Sequence, residues 1–561
     1  MRSELDGVMD AVLAEVTGPG GPLPLGSIER FGVTLPVIAS APASLPRYFA
    51  HYCRQHADAT LLVAGEERLT FAEVYEQAQA GARGLIGHHG IAKGDRVGIA
   101  MRNSPAWIAL YMGIVAAGGV ATLLNGWWQS GELERAIAEV DCTLVLADPP
   151  RAKRLSDVPV PVLVIDDALP LAQALLPLGG APDATLPEVG ADDDATILFT
   201  SGSTGQCKGA LSDHRAVMQG VFNYLASALT MLGIAARQGN APTGQPATLL
   251  NVPLFHVTAE VPVFLQSFAI GRKLVLMPKW DAEEAMRLIE RERVTYFVGV
   301  PLMSFEMLTH PNRAKYDLST VTDFAAGGAP RPAEHVRRID AEMEGAPLIG
   351  YGLTETNGIG CGNWRSNYLA KPTSCGRPSL PLVDLAILDD VGRPMAQGSR
   401  GEIAIRSVAN FKGYWNNPQA TAAAVTADGY FRTGDIGYLD EDGYVFIVDR
   451  KKDIIIRGGE NISCQEVEAA LYAHPQVAEA AVFGLADERL GEVPGAVVSL
   501  RDGEVDGEGL RAFLLEQIAA FKVPERVWIA DGPLPRLGTE KIDKVALKTK
   551  YRAVAAQEAV V

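Results

Sequence analysis

Short apolar runs alternate with longer helical patterns in the N-terminal half of the chain. The runs rich in Val, Ile and Leu are Arg96–Met101, Thr143–Leu146, Pro161–Ile165, Leu249–Val252, Lys273–Met277 and Tyr296–Gly299. Strands that alternate with helices form parallel sheets with crossover helices. Gly180–Asp194 and Arg237–Pro246 are rich in Gly, Pro and polar residues, so we expect loops there. The pattern predicts an α/β fold with parallel-rich sheets.

The pattern changes near Val383, where strands separated by turns replace the alternation. The strands and turns predicted there are Ala386–Leu388, Glu402–Arg406, Asp440–Gly443 and Tyr444–Val448. Residues 453–561 then have a strand and helix pattern of their own. We predict a large domain over residues 1–450, which includes a small β-barrel-like part, and a small mobile α+β domain over residues 451–561.

One uncharged stretch between Arg102 and Glu132 is long enough to cross a bilayer. Gly118-Gly119 divides it into a helix-like half and a strand-like half. A buried helix followed by a buried parallel strand has the same composition. We favour that interpretation and predict no transmembrane segment.

The composition describes an ordinary folded protein of 561 residues, with 48% hydrophobic and 21% charged residues. The net charge of −17 leaves no excess of Lys or Arg to displace counterions, which argues against nucleic-acid binding. The six cysteines form no Cys-x-x-Cys pair, and the N-terminus has no signal-peptide pattern. We therefore expect reduced thiols in a cytoplasmic protein.

Residues 196–210 carry the strongest chemical signal. The strand Ile197–Phe199 runs into Thr-Ser-Gly-Ser-Thr-Gly, and Lys208 follows. Glycines let backbone N–H groups approach a phosphate, hydroxyls donate further hydrogen bonds, and lysine adds a positive charge. This is not a Walker A loop, because Cys207 stands where that pattern needs the glycine before its lysine. The sequence predicts a polyphosphate cradle of another design, with a Gly/Ser surface turn as the alternative.

Further segments have compositions that are typical of ligand contact. They are Gly350–Thr356, Phe431–Asp435, Asp449–Asp453, Arg457–Ile462 and Pro535–Ile542. In this order, and together with the phosphate loop, these motifs resemble the adenylate-forming superfamily of acyl- and aryl-CoA synthetases, peptide-synthetase adenylation domains and beetle luciferases. The resemblance covers roughly residues 45–550.

The resemblance implies two half-reactions. A carboxylate attacks the α-phosphorus of ATP to give acyl-AMP and pyrophosphate, and a thiol, normally that of coenzyme A, then displaces AMP. The implied cofactors are ATP, Mg²⁺ and coenzyme A, and the implied substrate is a small carboxylic acid.

The resemblance also implies roles for residues of this chain. The β- and γ-phosphates would contact Thr200, Ser201, Gly202, Ser203, Thr204, Gly205 and Lys208. The other implied contacts are Tyr351 on adenine beside Gly328, Ala329 and Pro330, Asp435 and Arg450 on the ribose, Thr354 on a phosphate oxygen, and Glu355 on Mg²⁺.

The C-terminal motifs have implied roles in catalysis and motion. Lys541 would bridge the substrate carboxylate and the α-phosphate, where it neutralises charge that builds in the transition state. Lys452 occupies the hinge position of the family. Rotation there would exchange Lys541 for the strand with Gly458 and Gly459, which would serve the thioester step.

Several of these residues also have plainer interpretations. Glu355 could cap a helix, Asp435 could be a turn residue, and Lys541 could be an exposed surface lysine. Arg450–Lys452 could be a solvated charge run, which is the interpretation that we adopt for Lys451.

Two residues depart from the pattern of the family. Glu540 stands where many members have Gly, so that a carboxylate lies beside the catalytic amine and could hamper its approach to ATP. Cys207 replaces the usual Pro, which should loosen the phosphate loop slightly. Neither change removes a chemical group.

The acid pocket would follow Pro253-Leu254-Phe255-His256, with His256 as a gate to the thiol channel or, alternatively, as a packed core histidine. The family's amino-acid-activating members carry an Asp near this segment, and this chain does not. Val298–Met303 and Gly358–Gly360 are small and apolar, which suits an aliphatic or aromatic tail.

Glu260 is a single carboxylate in the apolar stretch Thr258–Ile270. An unpartnered carboxylate buried there would cost several kcal/mol or stay protonated. We expect it to point out of the pocket to solvent or to a basic residue, with recognition of a polar substrate group as the alternative.

Three functions are open at this point. The leading one is an acid:CoA ligase, the second an acyl-AMP ligase that delivers to a carrier protein, and the third a nucleotide-binding relative without catalysis. Glu355, Asp435 and Lys541 argue against the third. The sequence does not identify the acid or the oligomeric state, and a homodimer is one candidate.

Overall fold

The computed structural model describes residues 3–201, 207–451, 453–457, 460–501, 503–537 and 541–558. In these ranges the strands β1–β27 are, in order, Leu25–Arg30, Val33–Ile38, Thr60–Ala64, Glu67–Thr70, Arg96–Ala100, Val120–Leu123, Leu144–Ala147, Val162–Val164, Asp194–Ser201, Cys207–Asp213, Ala247–Leu250, Lys273–Leu276, Tyr296–Gly299, Asp323–Gly327, Ala346–Gly352, Gly360–Trp364, Arg377–Pro378, Asp384–Leu388, Gly401–Arg406, Gly413–Tyr414, Phe431–Leu439, Val445–Arg450, Ile455–Arg457, Glu460–Ile462, Val477–Asp487, Gly491–Leu500 and Arg526–Ile529.

The helices of the same ranges fall into three kinds. The α-helices α1–α18 are Glu4–Thr17, Leu45–Gln55, Phe71–Gly87, Pro105–Ala116, Ser130–Glu139, Pro149–Ala152, Leu171–Ala174, His214–Arg237, Val257–Ala259, Gln266–Ala269, Ala282–Glu292, Pro301–Thr309, Ala333–Glu342, Arg365–Ala370, Pro418–Ala424, Cys464–Tyr472, Gly507–Gln517 and Lys544–Glu558. Short 3₁₀ helices cover Lys153–Leu155, Leu176–Leu178, Arg313–Lys315, Thr354–Thr356 and Ala520–Lys522, and a π-helix covers Glu260–Leu265.

Two large sheets form the N-terminal part of the chain. One has seven strands in the order β20-β10-β9-β6-β5-β7-β8, of which β9 to β8 run parallel. The other has nine strands in the order β17-β16-β15-β14-β13-β11-β12-β3-β4, and β15 to β3 are parallel. The α/β class with parallel-rich sheets is therefore confirmed.

One continuous hydrophobic core includes residues of both large sheets. The helix α4 is buried on all sides, which explains why its sequence is apolar all round and resembles a membrane span. Ser104 caps its first turn through the Trp107 amide, and the buried strand β6 follows. This is the buried helix and strand that the sequence predicts for the uncharged stretch.

Length and composition alone mark another helix, α8, as able to cross a membrane. In the described residues it is the one helix that passes this test, and 61% of its most apolar window is buried inside the protein. A buried core helix passes the same test, so α8 is weak evidence for a membrane span.

From Asp384 onward the sheets are antiparallel or mixed. A four-stranded sheet with the order β18-β19-β21-β22 corresponds to the predicted barrel-like part. In that pattern of strands and turns, residues 440–443 form the turn between β21 and β22, where Asp440 accepts hydrogen bonds from the amides of Asp442 and Tyr444. Beyond Arg450, the order β24-β23-β26-β25, with β27 paired to β26, forms a separate sheet with its own hydrophobic core.

Candidate active site

The carboxyl ends of the parallel strands β14 and β15 carry the residues of the candidate site, as is general for sheets of this kind. Gly327 ends β14 in register with Gly350 of β15. Gly328 follows with φ +75°, a left-handed conformation that favours glycine. Ala329 and the exposed Pro330 continue this turn.

The buried Arg331 side chain holds this turn in place. Its guanidinium donates to the carbonyl oxygens of Phe324 at 3.3 Å and Leu348 at 3.4 Å, and to Ser304 Oγ at 3.3 Å. It therefore links β14, β15 and α12 just beyond Gly328. Burial lowers its pKa to about 10.

Lys541 comes from the C-terminal sheet region and reaches this turn. A Cβ atom placed on Gly328 would lie 2.8 Å from Lys541 Cε and 2.9 Å from Nζ, so a side chain there would require the end of the lysine to shift. Burial, and to a smaller degree the charge of Arg450, lowers the pKa of Lys541 to about 8. The plainer interpretation of Lys541 as an exposed surface lysine is therefore wrong.

His256 lies near Lys541, at the N-terminus of α9. Its Nδ1 accepts the Thr258 amide at 3.2 Å, so the residue caps α9. Burial and then the charge of Lys541 lower its pKa to about 3, which leaves the imidazole neutral near pH 7. A neutral ring adds no positive charge that would repel the Lys541 ammonium.

Asp435 and Arg450 face each other across neighbouring strands, β21 and β22. Arg450 Nε lies 3.3 Å from Asp435 Oδ1, and the Tyr351 hydroxyl donates to Asp435 Oδ2 at 2.6 Å. Burial raises the pKa of Asp435, although Arg450 and Tyr351 oppose this shift. The structure thus brings together the three residues that the resemblance assigns to the nucleoside.

Glu355 is the buried carboxylate of the predicted metal position, in the short 3₁₀ helix that starts at Thr354. Its Oε1 accepts the Tyr414 hydroxyl at 2.8 Å. Burial raises the pKa of Glu355, while hydrogen bonds from Tyr414 and Thr200 and the charge of Arg450 oppose the rise. A partly satisfied buried carboxylate close to Thr200 fits a divalent cation that also binds phosphate oxygens.

Tyr414 is a site residue that the sequence reasoning missed. The strand β20 adds to β10, with Tyr414 opposite Ala210, and this pairing aims its hydroxyl at Glu355. Lys208 Nζ lies 5.0 Å from the centre of the Tyr414 ring. Only the packing of β20 on β10 reveals this role, because a lone tyrosine about 60 residues after Glu355 carries no motif.

Some predicted positions lie outside the described residues: Gly202, Ser203, Thr204, Gly205, Lys452, Gly458, Gly459 and Glu540. Ser201 ends β9, and its neighbour Thr200 pairs with Lys208 in β10.

Comparison with known proteins identifies the family. The family model described as AMP-binding enzyme matches residues 49–415, and the model of the AMP-binding enzyme C-terminal domain matches residues 466–541. The chain belongs to the AMP-binding enzyme family. The resemblance to the adenylate-forming superfamily is confirmed.

Curated relatives of this AMP-binding enzyme are CoA ligases. A feruloyl-CoA synthase from an Amycolatopsis species is 35% identical over 505 residues, which are 89% of this chain and 97% of the relative. A long-chain-fatty-acid–CoA ligase from Bacillus subtilis (strain 168) is 32% identical over 523 residues, 86% of this chain and 90% of the relative. The AMP-binding enzyme described here is accordingly an acyl-CoA synthetase.

A solved structure has the same fold. ATP-bound MatB from Rhodopseudomonas palustris superposes with a TM-score of 0.79 at 29% identity, over 91% of this chain and 99% of that chain. This agrees with a large α/β N-terminal domain followed by a small C-terminal domain.

The structure overturns the expectation for Glu260. Glu260 is fully buried, and its Oε1 accepts the hydroxyl of Tyr111 at 2.8 Å. Among the described residues no basic side chain pairs with it, and its Oε2 has no hydrogen-bond partner. It faces α4, whereas Thr258, two residues earlier and so on the opposite helix face, approaches Gly327. It therefore lies in the core, and burial raises its pKa to about 7.

The charge of Glu260 should make stability depend on pH. Its folded pKa of about 7 lies above the ordinary 4.5. What the protonated carboxyl adds to the free energy of unfolding is therefore complete below pH 4.5 and is lost as pH rises through 7. Relative to Glu260→Gln, which keeps the acceptor for Tyr111, wild type should lose roughly 3 kcal/mol over this window. Denaturation temperatures of both proteins against pH measure the difference, and parallel curves would contradict it.

Proposed function

We propose that this acyl-CoA synthetase works in two steps, acyl-AMP formation with release of pyrophosphate and then acyl transfer to the thiol of coenzyme A. The observation that carries the proposal is the position of Lys541, whose ammonium reaches Gly328 next to Arg450 and His256. A cation in a partly desolvated site is what two approaching anions, a carboxylate and a phosphate, require.

Lys541 would act on the charge that develops in the first step. The carboxylate oxygen forms a bond to the α-phosphorus, and the bond to the pyrophosphate oxygen breaks. Lys541 Nζ would donate to the carboxylate and to an α-phosphate oxygen, and Arg450 would add a second positive charge nearby. The neutral His256 would border the carboxylate without competing for it.

Asp435, Tyr351 and Glu355 would hold the nucleotide. The Asp435 oxygen that faces Arg450 would accept hydrogen bonds from the ribose hydroxyls. The Tyr351 ring would pack on adenine. Glu355 would hold Mg²⁺, which when bound would neutralise phosphate charge, and Thr354 and Thr200 would donate to phosphate oxygens. Tyr414 would orient the Glu355 carboxylate.

The acid is proposed to carry an aliphatic or aromatic tail. Val298 near the end of β13 and Met303 near the start of α12 are buried and apolar, and a Cβ placed on Gly358 would lie 3.4 Å from Val257 Cγ2 at the start of α9. Relatives named for ferulate, long-chain fatty acids and 2-succinylbenzoate support this range of tails. With Glu260 turned to the core, no described carboxylate of α9 or the π-helix would favour an ammonium group.

The remaining proposals concern organisation. We propose domains at 1–450 and 451–561 with a hinge at Lys452, a cytoplasmic location, a homodimer as a candidate assembly, and no nucleic-acid partner or membrane span. Arg450 ends β22 and the separate C-terminal sheet starts at Ile455, which supports this boundary.

Pyrophosphate release tests the function. Wild-type protein is mixed with MgATP and, one at a time, ferulate, benzoate, 2-succinylbenzoate, octanoate and palmitate. Pyrophosphate should appear with at least one acid, and coenzyme A should then be consumed as AMP forms. Release without consumption of coenzyme A would favour delivery to a carrier protein, and no release with any acid would contradict the proposal.

Replacement of Lys541 should separate the two steps. Lys541→Ala should slow acyl-AMP formation by about 10²–10³-fold, the range for loss of one preorganised charge donor. Thioester formation from supplied acyl-AMP should continue at a near wild-type rate. Single-turnover measurements of each half-reaction decide this, and an equal loss in both would remove Lys541 from the role.

The pKa of Lys541 predicts an alkaline limit for the first step. The cationic form is required, so kcat/KM for ATP should fall as pH rises above about 8. Lys541→Arg should be slower but keep its charge, because the guanidinium pKa exceeds about 12. The decrease should then be absent from its pH profile, and a decrease that persists in Lys541→Arg would belong to another group.

Tyr414→Phe should lower the affinity for Mg²⁺, while the aromatic ring beside Lys208 is preserved. Loss of the hydroxyl leaves Glu355 Oε1 without its 2.8 Å donor, and loss of such orienting bonds typically lowers metal affinity about 10- to 100-fold. The Mg²⁺ concentration for half-maximal pyrophosphate release should rise accordingly. Tyr430→Phe, which removes a hydroxyl bonded to Asp384 instead of Glu355, is the matched control and should behave as wild type.

A further inference from the structure

The C-terminal part of the chain, residues 453–558, contacts the N-terminal part at a place that no motif marks. Arg501 directly follows β26, and its side chain is exposed. The carbon at the centre of its guanidinium lies 5.1 Å from the centre of the Phe305 ring in α12. A cation at this distance from an aromatic face is attracted to it.

Phe305 is held as a rigid platform for this contact. Its ring stacks on His335 of α13, with ring centres 3.8 Å apart and planes 12° from parallel. Burial, followed by the charges of Arg501, Arg331 and Arg338, lowers the pKa of His335 to about 3. The stacked pair is therefore neutral near pH 7, and Arg338 also lies over the Phe305 ring, with its guanidinium carbon 5.6 Å from the ring centre.

The end of the C-terminal sheet that carries Arg501 also contacts the residues before Lys541. Glu479 of β25 lies opposite Ser499 of β26, two residues before Arg501. The carboxylate of Glu479 accepts the Leu534 amide at 2.6 Å and also pairs with Arg536. Glu479 thus links Leu534 and Arg536, which precede Lys541, to β25 and β26 near Arg501.

Backbone hydrogen bonds join the described residues on the two sides of the lysine motif. Leu537 N donates to Lys541 O at 2.8 Å, and Asp543 N donates to Pro535 O at 2.7 Å. Pro535 and Leu537 are thus bonded to Asp543 and Lys541, and Glu479 holds the neighbouring Leu534. A continuous chain of contacts therefore runs from Phe305 through Arg501, β26 and Glu479 to Lys541.

We propose that Arg501, docked on Phe305, is a positioning residue that orients the C-terminal part so that Lys541 reaches Gly328 for acyl-AMP formation. The inference rests on the two-step function proposed above. Rotation of the C-terminal part for the thioester step would break this contact, so Arg501 serves the first half-reaction and not the second.

Half-reaction kinetics test the role of Arg501, with the acid that gives the fastest pyrophosphate release in wild type. Arg501→Ala should lower the single-turnover rate of pyrophosphate release at saturating MgATP and acid by about 2- to 5-fold, the range for loss of one cation–π contact at an exposed site. Thioester formation from supplied acyl-AMP should keep its wild-type rate. Phe305→Leu should show the same split, and Arg501→Lys should recover part of the rate.

Arg511→Ala is the matched control. This variant removes the same charge from the C-terminal part, where the Arg511 guanidinium contacts Glu508 and the Pro524 carbonyl. It should leave both half-reactions unchanged. If wild type releases pyrophosphate and Arg501→Ala matches it, or loses both half-reactions equally, the positioning role is overturned while the proposed function stands. If wild type releases none with any acid, the proposed function itself fails.

Discussion

The structure depends on keeping the ammonium of Lys541 inside the protein without a counterion. Among the described residues no carboxylate pairs with it, and Arg450 adds a second positive charge close by. Burial of an unpaired cation is unfavourable, and the lowered pKa reports that cost. The cost falls when an anion enters the site, so the charged lysine favours the binding of an anionic ligand. Gly328 leaves room for the end of the lysine and adopts the positive φ of this turn.

Apart from the ion pair of Asp435 with Arg450, the surrounding fold separates the charges of the site. The carboxylate of Asp435 comes from the antiparallel sheet, and that of Glu355 lies just after the end of β15. Each accepts a hydrogen bond from a tyrosine hydroxyl. Those hydroxyls satisfy one oxygen of each buried carboxylate without neutralising it. Backbone carbonyls hold Arg331 under the Gly328 turn, and no acidic residue among its partners there offsets its charge. The cationic and the anionic groups of the site can therefore each bind a different part of one ligand.

The sequence predicts those parts of the site that depend on local composition. Lys541, Asp435, Glu355 and Tyr351 stand in short motifs whose order along the chain identifies the family. Tyr414 and Arg501 were missed, since each acts through a contact with a residue that is distant in sequence, Glu355 and Phe305. Glu260 was misjudged for the same reason. Its partner Tyr111 lies in another helix, and the direction of a side chain on a helix depends on where that helix packs.

The sequence by itself determined the α/β class, the changed pattern after Val383 and the chemistry of the motifs, because hydrophobic periodicity and glycine-rich turns are local properties. Only the tertiary structure decided which groups meet. It joined β20 to β10, turned Glu260 into the core and brought the C-terminal Lys541 to Gly328. These outcomes follow from packing between segments that are hundreds of residues apart, and the burial that sets the pKa values of Lys541 and His256 exists only after that packing.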